Sequence, residues 1–357
     1  MRNIFLDFRT ALLCFGIHVQ DLREVGDKMD GTIRVAVDAM GGDHAPFEVV
    51  KGAVEAVKEL PVKVLLVGPL DVVEAELKKY QYDAEKIQVI PASEVIGTDE
   101  VPTTAIRRKK DSSMVVGLNL VKDQTADAFV SAGSTGALLT GALFIIGRIK
   151  GVERPVLGTC LPTKKGFAFL VDSGANVDCK AKYLEQFAKM GSVYVENMFG
   201  IKNPKVALVN IGAEKEKGNL LTKEAYELLE NAEIHFTGNI EPRNIPFGDA
   251  DVVVCDGFVG NTILKLSEGL SLTLLGIIKE AITAGPYMLA ALALKKPFKR
   301  IKKRFDSDEI GGAPFLGLKA LVVKAHGSSK SKAIKNAIKQ CMLFTKEDMI
   351  EKIEAKL

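Results

Sequence analysis

Tryptophan is missing from the 357 residues, and aromatic residues make up only 6% of them. That leaves little material for base-stacking platforms, and a formal net charge of +3 gives no overall field to attract a polyanion. Both arguments count against nucleic acid as a partner, so any basic surface has to be local. Cysteine is sparse: Cys14, Cys160, Cys179, Cys255 and Cys341 stand far apart with no C-x-x-C pair, a pattern of reduced thiols in a cytosolic protein. The four histidines, His18, His44, His235 and His326, form no H-E-x-x-H motif or Cys/His cluster that would argue for zinc. No G-x-G, no Gly-Lys pair and no G-x-S-x-G occurs. These absences remove the dinucleotide fingerprint, the Walker A loop and the hydrolase elbow. No segment reads as the roughly 20 apolar residues needed to span a bilayer. The longest, Gly269 to Leu294, is interrupted by Lys279, Glu280 and Pro286. The expectation is a cytoplasmic protein with no metal and no cofactor.

Hydrophobic residues at 47% and charged residues at 26% are ordinary for a globular chain, long enough here for a large core or two lobes. The first 30 residues differ from the rest. Arg9 precedes the apolar stretch Ala11 to Ile17, but no small-residue cleavage site follows, and Gln20 to Val25 is charged. Residues 1–30 read as an extension outside the fold, as a start codon placed too early would give, and 31–357 as one catalytic α/β unit with room for two lobes.

Short apolar runs alternate with helical patterns from there on. Strands are expected at Ile33–Asp38, Val62–Gly68, Ile87–Ile90, Asp127–Ser131, Phe167–Asp172, Lys205–Asn210, Ile234–Thr237, Asp251–Asp256 and Leu321–Ala325. Helices are expected over 46–60, 71–81, 103–122, 135–150, 178–199, 220–231, 258–283 and 332–353. Unbroken Val/Ile runs mark strands buried on both faces, and the alternation implies a mostly parallel sheet with helices on both sides.

Small and polar residues gather where these strands end. Asp38-Ala-Met-Gly-Gly-Asp-His-Ala-Pro46 follows the first strand and Ser131-Ala-Gly-Ser-Thr-Gly136 the fourth. Further on come Asp172-Ser-Gly-Ala-Asn176, Asn210-Ile-Gly212, Phe236-Thr-Gly-Asn-Ile-Glu241, Asp256-Gly-Phe-Val-Gly-Asn261 and His326-Gly-Ser-Ser329. Glycine lets backbone approach a ligand, and the first amides of a following helix carry partial positive charge with no internal partner. Such a turn suits phosphate. One alone is more often a turn with an N-cap. Their repetition on one expected sheet edge points to a working crevice.

These stretches, with Val35-Ala-Val37 before the first and Gly311-Gly-Ala-Pro314 before the last, resemble the phosphate acyltransferases of the PlsX family over residues 33 to 337. The resemblance implies a three-layer α/β/α fold related to phosphotransacetylase and the isocitrate/isopropylmalate dehydrogenases, and a homodimer. It implies transfer of a fatty acyl group from acyl carrier protein to inorganic phosphate, upstream of a membrane-bound glycerol-3-phosphate acyltransferase in phospholipid synthesis. Phosphate is already anionic and thiolate is a good leaving group, so direct attack needs positioning and an oxyanion site more than strong acid–base help. Phosphate contacts are assigned to Ser131, Gly133, Ser134, Thr135 and Gly136, beside Gly41 and Gly42. Asn176, Asn239 and Asn261 are assigned as oxyanion or carbonyl donors. His44 or His326 would protonate the leaving sulfur, or each would simply hold its loop. Asp38, Asp43, Asp172 and Asp256 would orient loops and donors.

Residues 286–305 carry seven cations and no anion. Lys295, Lys296, Lys299, Arg300, Lys302, Lys303 and Arg304 alternate with Leu294, Phe298, Ile301 and Phe305 at helical spacing, and Pro297 is expected to divide two helices. The segment reads as a solvated helix at a dimer edge, a membrane-surface helix, or a dock for acidic acyl carrier protein. Two other activities stay open: a phosphotransacetylase acting on acyl-CoA, and a decarboxylating dehydrogenase of the same fold, although no nicotinamide or divalent-metal signature is recognisable.

Overall fold

Successive residues of each strand enter different apolar layers, which is why unbroken Val/Ile runs are needed. In β1 (Ile33–Asp38), Val35 and Val37 face one hydrophobic cluster and Ala36 the other. Val64 and Leu66 of β2 (Val62–Gly68) divide from Leu65 and Val67 in the same way. So does Phe129 from its neighbours in β4 (Ala128–Ser131). The computed structural model describes residues 32–283, 294–301, 309 and 311–357. The expected extension over 1–30 lies outside them.

The remaining strands are β3 (Ile87–Pro91), β5 (Val156–Thr163), β6 (Gly166–Val171), β7 (Val206–Val209), β8 (Phe236–Ile240), β9 (Val252–Val254), β10 (Ala313–Leu316) and β11 (Leu321–Lys324). They form one sheet in the order β3-β2-β1-β4-β11-β10-β5-β6-β9-β7-β8. One face is covered by α1 (Phe47–Glu59), α2 (Leu70–Leu77), α6 (Ala181–Phe199), α7 (Leu220–Glu230), α9 (Ser331–Lys346) and α10 (Met349–Lys356). On the other face α3 (Pro102–Arg108), α4 (Ser113–Lys122) and α5 (Thr135–Gly141) cover the first half. The start of α8 (Gly257–Thr283) covers the second. This is the expected three-layer α/β/α arrangement with a mostly parallel sheet.

Two strands escaped the sequence reading, and they change the architecture. β10 is antiparallel to both β11 and β5, and β5 is antiparallel to β6. The strands β1, β2, β3, β4 and β11 therefore run one way, and β6, β7, β8 and β9 run the other. Their turns leave the sheet in opposite directions, so the expected single edge of glycine turns is corrected to two groups.

Several helices also differ. The expected 103–122 helix is two, because Lys109 turns out of helical geometry and Ser112 caps α4 by accepting from Val115 N–H. The 332–353 helix breaks at Asp348, whose φ of 46° is left-handed. Residues 294–301 are helical, Pro297 included, so the expected break there is absent. Proline's fixed φ is itself a helical value. Lastly, α8 is 27 residues long and, by length and composition, apolar enough to cross a membrane, which the sequence reading did not allow for.

Candidate active site

The first group of turns is built on a buried carboxylate. Asp38, the last residue of β1, is 3% exposed. Its Oδ2 accepts from Ser131 Oγ at 2.7 Å and its Oδ1 from Met40 N–H at 3.2 Å. Ser131 Oγ in turn accepts from Gly133 N–H at 3.0 Å. This chain of bonds fixes the β4–α5 turn relative to β1. Gly41 closes the space between them: a Cβ there would lie 2.6 Å from Asp38 Oδ2 and 2.8 Å from Gly133 N. Gly42 has φ of +97°, and a Cβ on it would meet Ala132 and the carbonyl of Gly327 at 2.9 Å, so the turn needs glycine twice over.

The third turn of this group, after β11, is held to the first. Asp43 N–H donates to Gly327 O at 2.8 Å. His44 and His326, on the two joined turns, are both exposed, and His326 Nδ1 contacts Ser328 Oγ at 2.8 Å. In the middle, the Ser134 hydroxyl caps α5 by accepting from Ala137 N–H at 3.4 Å. Among the described residues, the N–H groups of Ser134, Thr135 and Gly136 meet no acceptor. Three unused amides, two hydroxyls and a helix start make an anion cradle.

Its electrostatics include a group that sequence reasoning passed over. Lys324 ends β11, is 9% exposed, and donates to the carbonyls of Ala132 at 3.3 Å and of Ala325. Burial lowers its pKa to about 8, against the opposing pull of Asp38 and Asp43. Burial likewise raises the Asp38 carboxyl, against its hydroxyl and N–H donors and Lys324. The signal for Lys324 was in the chain: a cation closing the otherwise apolar run Leu321-Val-Val-Lys324 just before a glycine turn.

The second group of turns has its own buried carboxylate. Asp172 is fully buried and accepts from the N–H groups of Gly174, Ala175 and Asn176 at 2.7 to 3.0 Å. Burial raises its pKa and these donors oppose the rise. Gly257 N–H donates to Asn176 O at 2.7 Å, and a Cβ on Gly174 would lie 3.3 Å from that of Asn261. The 172–176 and 256–261 turns are thus one unit, in which Asp256 Oδ1 accepts from Val259 N–H at 2.9 Å.

Comparisons with known proteins place the chain in a family. A family described as fatty acid synthesis protein matches residues 33–352. A phosphate acyltransferase of Clostridium kluyveri is 54% identical over 321 residues, 90% of this chain and 96% of the relative. The chain belongs to the phosphate acyltransferase family. Its members by that name are acyltransferases, and this chain is an enzyme of that class. The fold is shared more widely. A phosphotransacetylase from Streptococcus pyogenes superposes with a TM-score of 0.61 at 19% identity, over 97% of this chain and all of the other. A 4-hydroxythreonine-4-phosphate dehydrogenase from Klebsiella pneumoniae gives 0.52 at 13% identity, over 89% and 99%.

In this phosphate acyltransferase fold the site residues named from sequence divide. Asp38, Gly41, Gly42, Asp43, His44, Ser131, Gly133, Ser134, Thr135, Gly136 and His326 come together, as the bonds above show. Asp172, Asn176, Asp256 and Asn261 form the second unit, and among the described residues no hydrogen bond joins the two. Asn239 stands in neither: its Nδ2 donates to Glu214 O at 2.8 Å, across the β7–β8 edge, and its Oδ1 is buried without a partner. Asn176 is not a spare donor, since its Nδ2 is shared between Pro155 O and Asp172 Oδ2, both at 2.8 Å. It holds its loop, because a buried carboxylate needs every donor within reach. Of the basic segment, Lys295, Lys296, Phe298, Lys299, Arg300 and Ile301 are helical. Lys302, Lys303 and Arg304 lie outside the described residues.

Proposed function

We propose that this chain transfers a fatty acyl group from acyl carrier protein to inorganic phosphate, giving an acyl phosphate for phospholipid synthesis by a membrane-bound glycerol-3-phosphate acyltransferase. The observation that carries the reading is the unused row of amides at Ser134, Thr135 and Gly136, with two hydroxyls, over a rigid buried base. Phosphate held there attacks the thioester carbonyl. A carbon–oxygen bond forms to phosphate, the carbon–sulfur bond breaks, and the thiolate takes up a proton, with His44 and His326 standing at the rim to provide it. Phosphate needs no deprotonation, so the cradle's contribution is orientation and charge placement.

The test is thiol release from long-chain acyl carrier protein and from acetyl-CoA, each with and without phosphate. Faster phosphate-dependent release from the carrier-protein thioester is expected. Preference for acetyl-CoA would make the enzyme a phosphotransacetylase. Incubation with acyl donor alone should leave the protein unacylated; a kinetically competent acyl-enzyme would overturn direct attack.

The second half of α8 supports a homodimer. Beyond Gly260 no residue of this helix is buried, and Leu266, Leu270, Leu274 and Ile277 are at least half exposed at i, i+4, i+8 and i+11 spacing. An apolar stripe of that length calls for a cover, and a second copy fits the family resemblance. The helical, basic 294–301 stretch suits a cytoplasmic enzyme resting on an anionic membrane, where its product is consumed.

A further inference from the structure

The phosphate cradle poses an electrostatic problem that the amides alone do not solve. Asp38 lies beneath the β4–α5 turn and Asp43 sits on the adjoining turn. Two carboxylates beside an incoming dianion repel it, and repulsion is strongest where water is scarce. The only buried cation in the group is Lys324. It stands in register with Ser131 across β11 and β4, and it is anchored at both loop entrances by the carbonyls of Ala132 and Ala325. Its ammonium makes no hydrogen bond to either carboxylate, so it is not consumed in a closed ion pair.

We propose that Lys324 is the positioning residue that makes this turn cluster an orthophosphate site, offsetting Asp38 and Asp43 while tying the β4 and β11 turns together. The inference rests on the phosphate reading above. The groups facing Lys324 are few. Asp38 and Asp43 come from β1 and its turn, while β4 and β10 bring no titratable side chain. By strand alternation Lys324 shares the face of Val322, where α5 brings no titratable side chain and the cations of α3 and α4, Arg107, Arg108 and Lys122, are exposed, while α9 covers the opposite face with Val323 and Ala325. With its pKa held near 8 by burial, the ammonium is charged at neutrality and loses its proton within an accessible range. Affinity for phosphate should therefore fall as pH rises through about 8, while turnover at saturating phosphate changes little.

The experiment measures binding of inorganic phosphate by calorimetry, and its KM with an acyl thioester, from pH 7 to 9.5. Wild type is compared with Lys324→Met and Lys324→Arg, the melting temperature being recorded for each. Phosphate itself titrates near neutrality, so the comparison with Lys324→Arg, where the substrate's ionisation is identical, isolates the side chain. At pH 7, Lys324→Met should bind phosphate about tenfold or more weakly. Lys324→Arg should retain binding and lose the alkaline fall, because guanidinium stays protonated. If Lys324→Met does not fold, the Arg profile still decides. A folded Lys324→Met that binds phosphate as wild type does, or an alkaline fall that persists in Lys324→Arg, overturns the role of Lys324 and leaves the phosphate reading standing. A wild type that neither binds nor uses phosphate removes the reading itself, and this inference with it.

Discussion

Replacing Gly41 with Ala tests the contact on which the whole cradle is stacked. The backbone there is not left-handed, so the added methyl acts through space alone. Its carbon would fall 2.6 Å from Asp38 Oδ2 and 2.8 Å from Gly133 N, where ordinary contact begins at 3.4 Å. The carboxylate must then retreat by about 0.8 Å or the amide by about 0.6 Å, the differences between those distances. Neither has room to give. The Ser131–Asp38 bond at 2.7 Å and the Gly133–Ser131 bond at 3.0 Å would stretch to the limit of bonding or past it. Overpacking of this kind costs about 1–3 kcal/mol, and a hydrogen bond lost at a buried charge about 1.5–3 kcal/mol. Urea unfolding should show a loss of about 2 kcal/mol, with kcat/KM for phosphate down at least about tenfold and KM for the acyl donor little changed. Gly276→Ala is the control, since it opens onto empty space and sits in a helix where Ala is favoured. Gly41→Ala with wild-type stability and wild-type phosphate kinetics would refute the close stacking of β1 on the β4 turn.

Two further outcomes follow from the same geometry. Asn176→Ala removes the donor shared by Pro155 O and Asp172 Oδ2 and should cost about 1–3 kcal/mol of stability with kcat per folded molecule unchanged. A kcat loss of a hundredfold in the folded variant would restore Asn176 as an oxyanion donor. Leu270→Asp with Leu274→Asp places two charges on the exposed stripe of α8, and light scattering is expected to report a dimer for wild type and a monomer for the double variant. An unchanged mass would rule out a dimer built on this stripe.

Strand positions were legible because buried strands need continuous Val/Ile runs, and nine such runs all became strands within a few residues. Their direction was not legible. A run of apolar residues states that a strand is there, and only the number of reversals before it states which way it points. The two reversing strands carry weak signatures: Val156–Thr163 is diluted by Gly158, Thr159 and Pro162, and Ala313–Leu316 is four residues with a proline. Missing them placed every turn on one edge. Of the turn residues named from sequence, Asp38, Gly41, Ser131 and Gly133 converge, whereas Asp172, Asn176, Asp256 and Asn261 form a separate unit and Asn239 joins neither. What spacing could not reveal was commitment: Asn176 looks like a free amide in sequence, and in the fold its Nδ2 is taken by Pro155 O and Asp172 Oδ2. Lys324 shows the converse. Its place at the close of an apolar run before a glycine turn was the signal in the chain, and its bonds to the carbonyls of Ala132 and Ala325 show where the charge is held.

The proposed role of the Ser134–Gly136 amides is to seat the single orthophosphate that accepts the acyl group. The direct measurement is the yield of hydroxylamine-trapped acyl product from long-chain acyl carrier protein as phosphate is varied, for wild type and for Ser134→Ala with Thr135→Val. Wild type should form trappable product only with phosphate. The double variant should need about tenfold or more phosphate to reach half its maximum, with its acyl-donor dependence intact. Product formed without phosphate, or identical phosphate curves for the two proteins, would contradict the account.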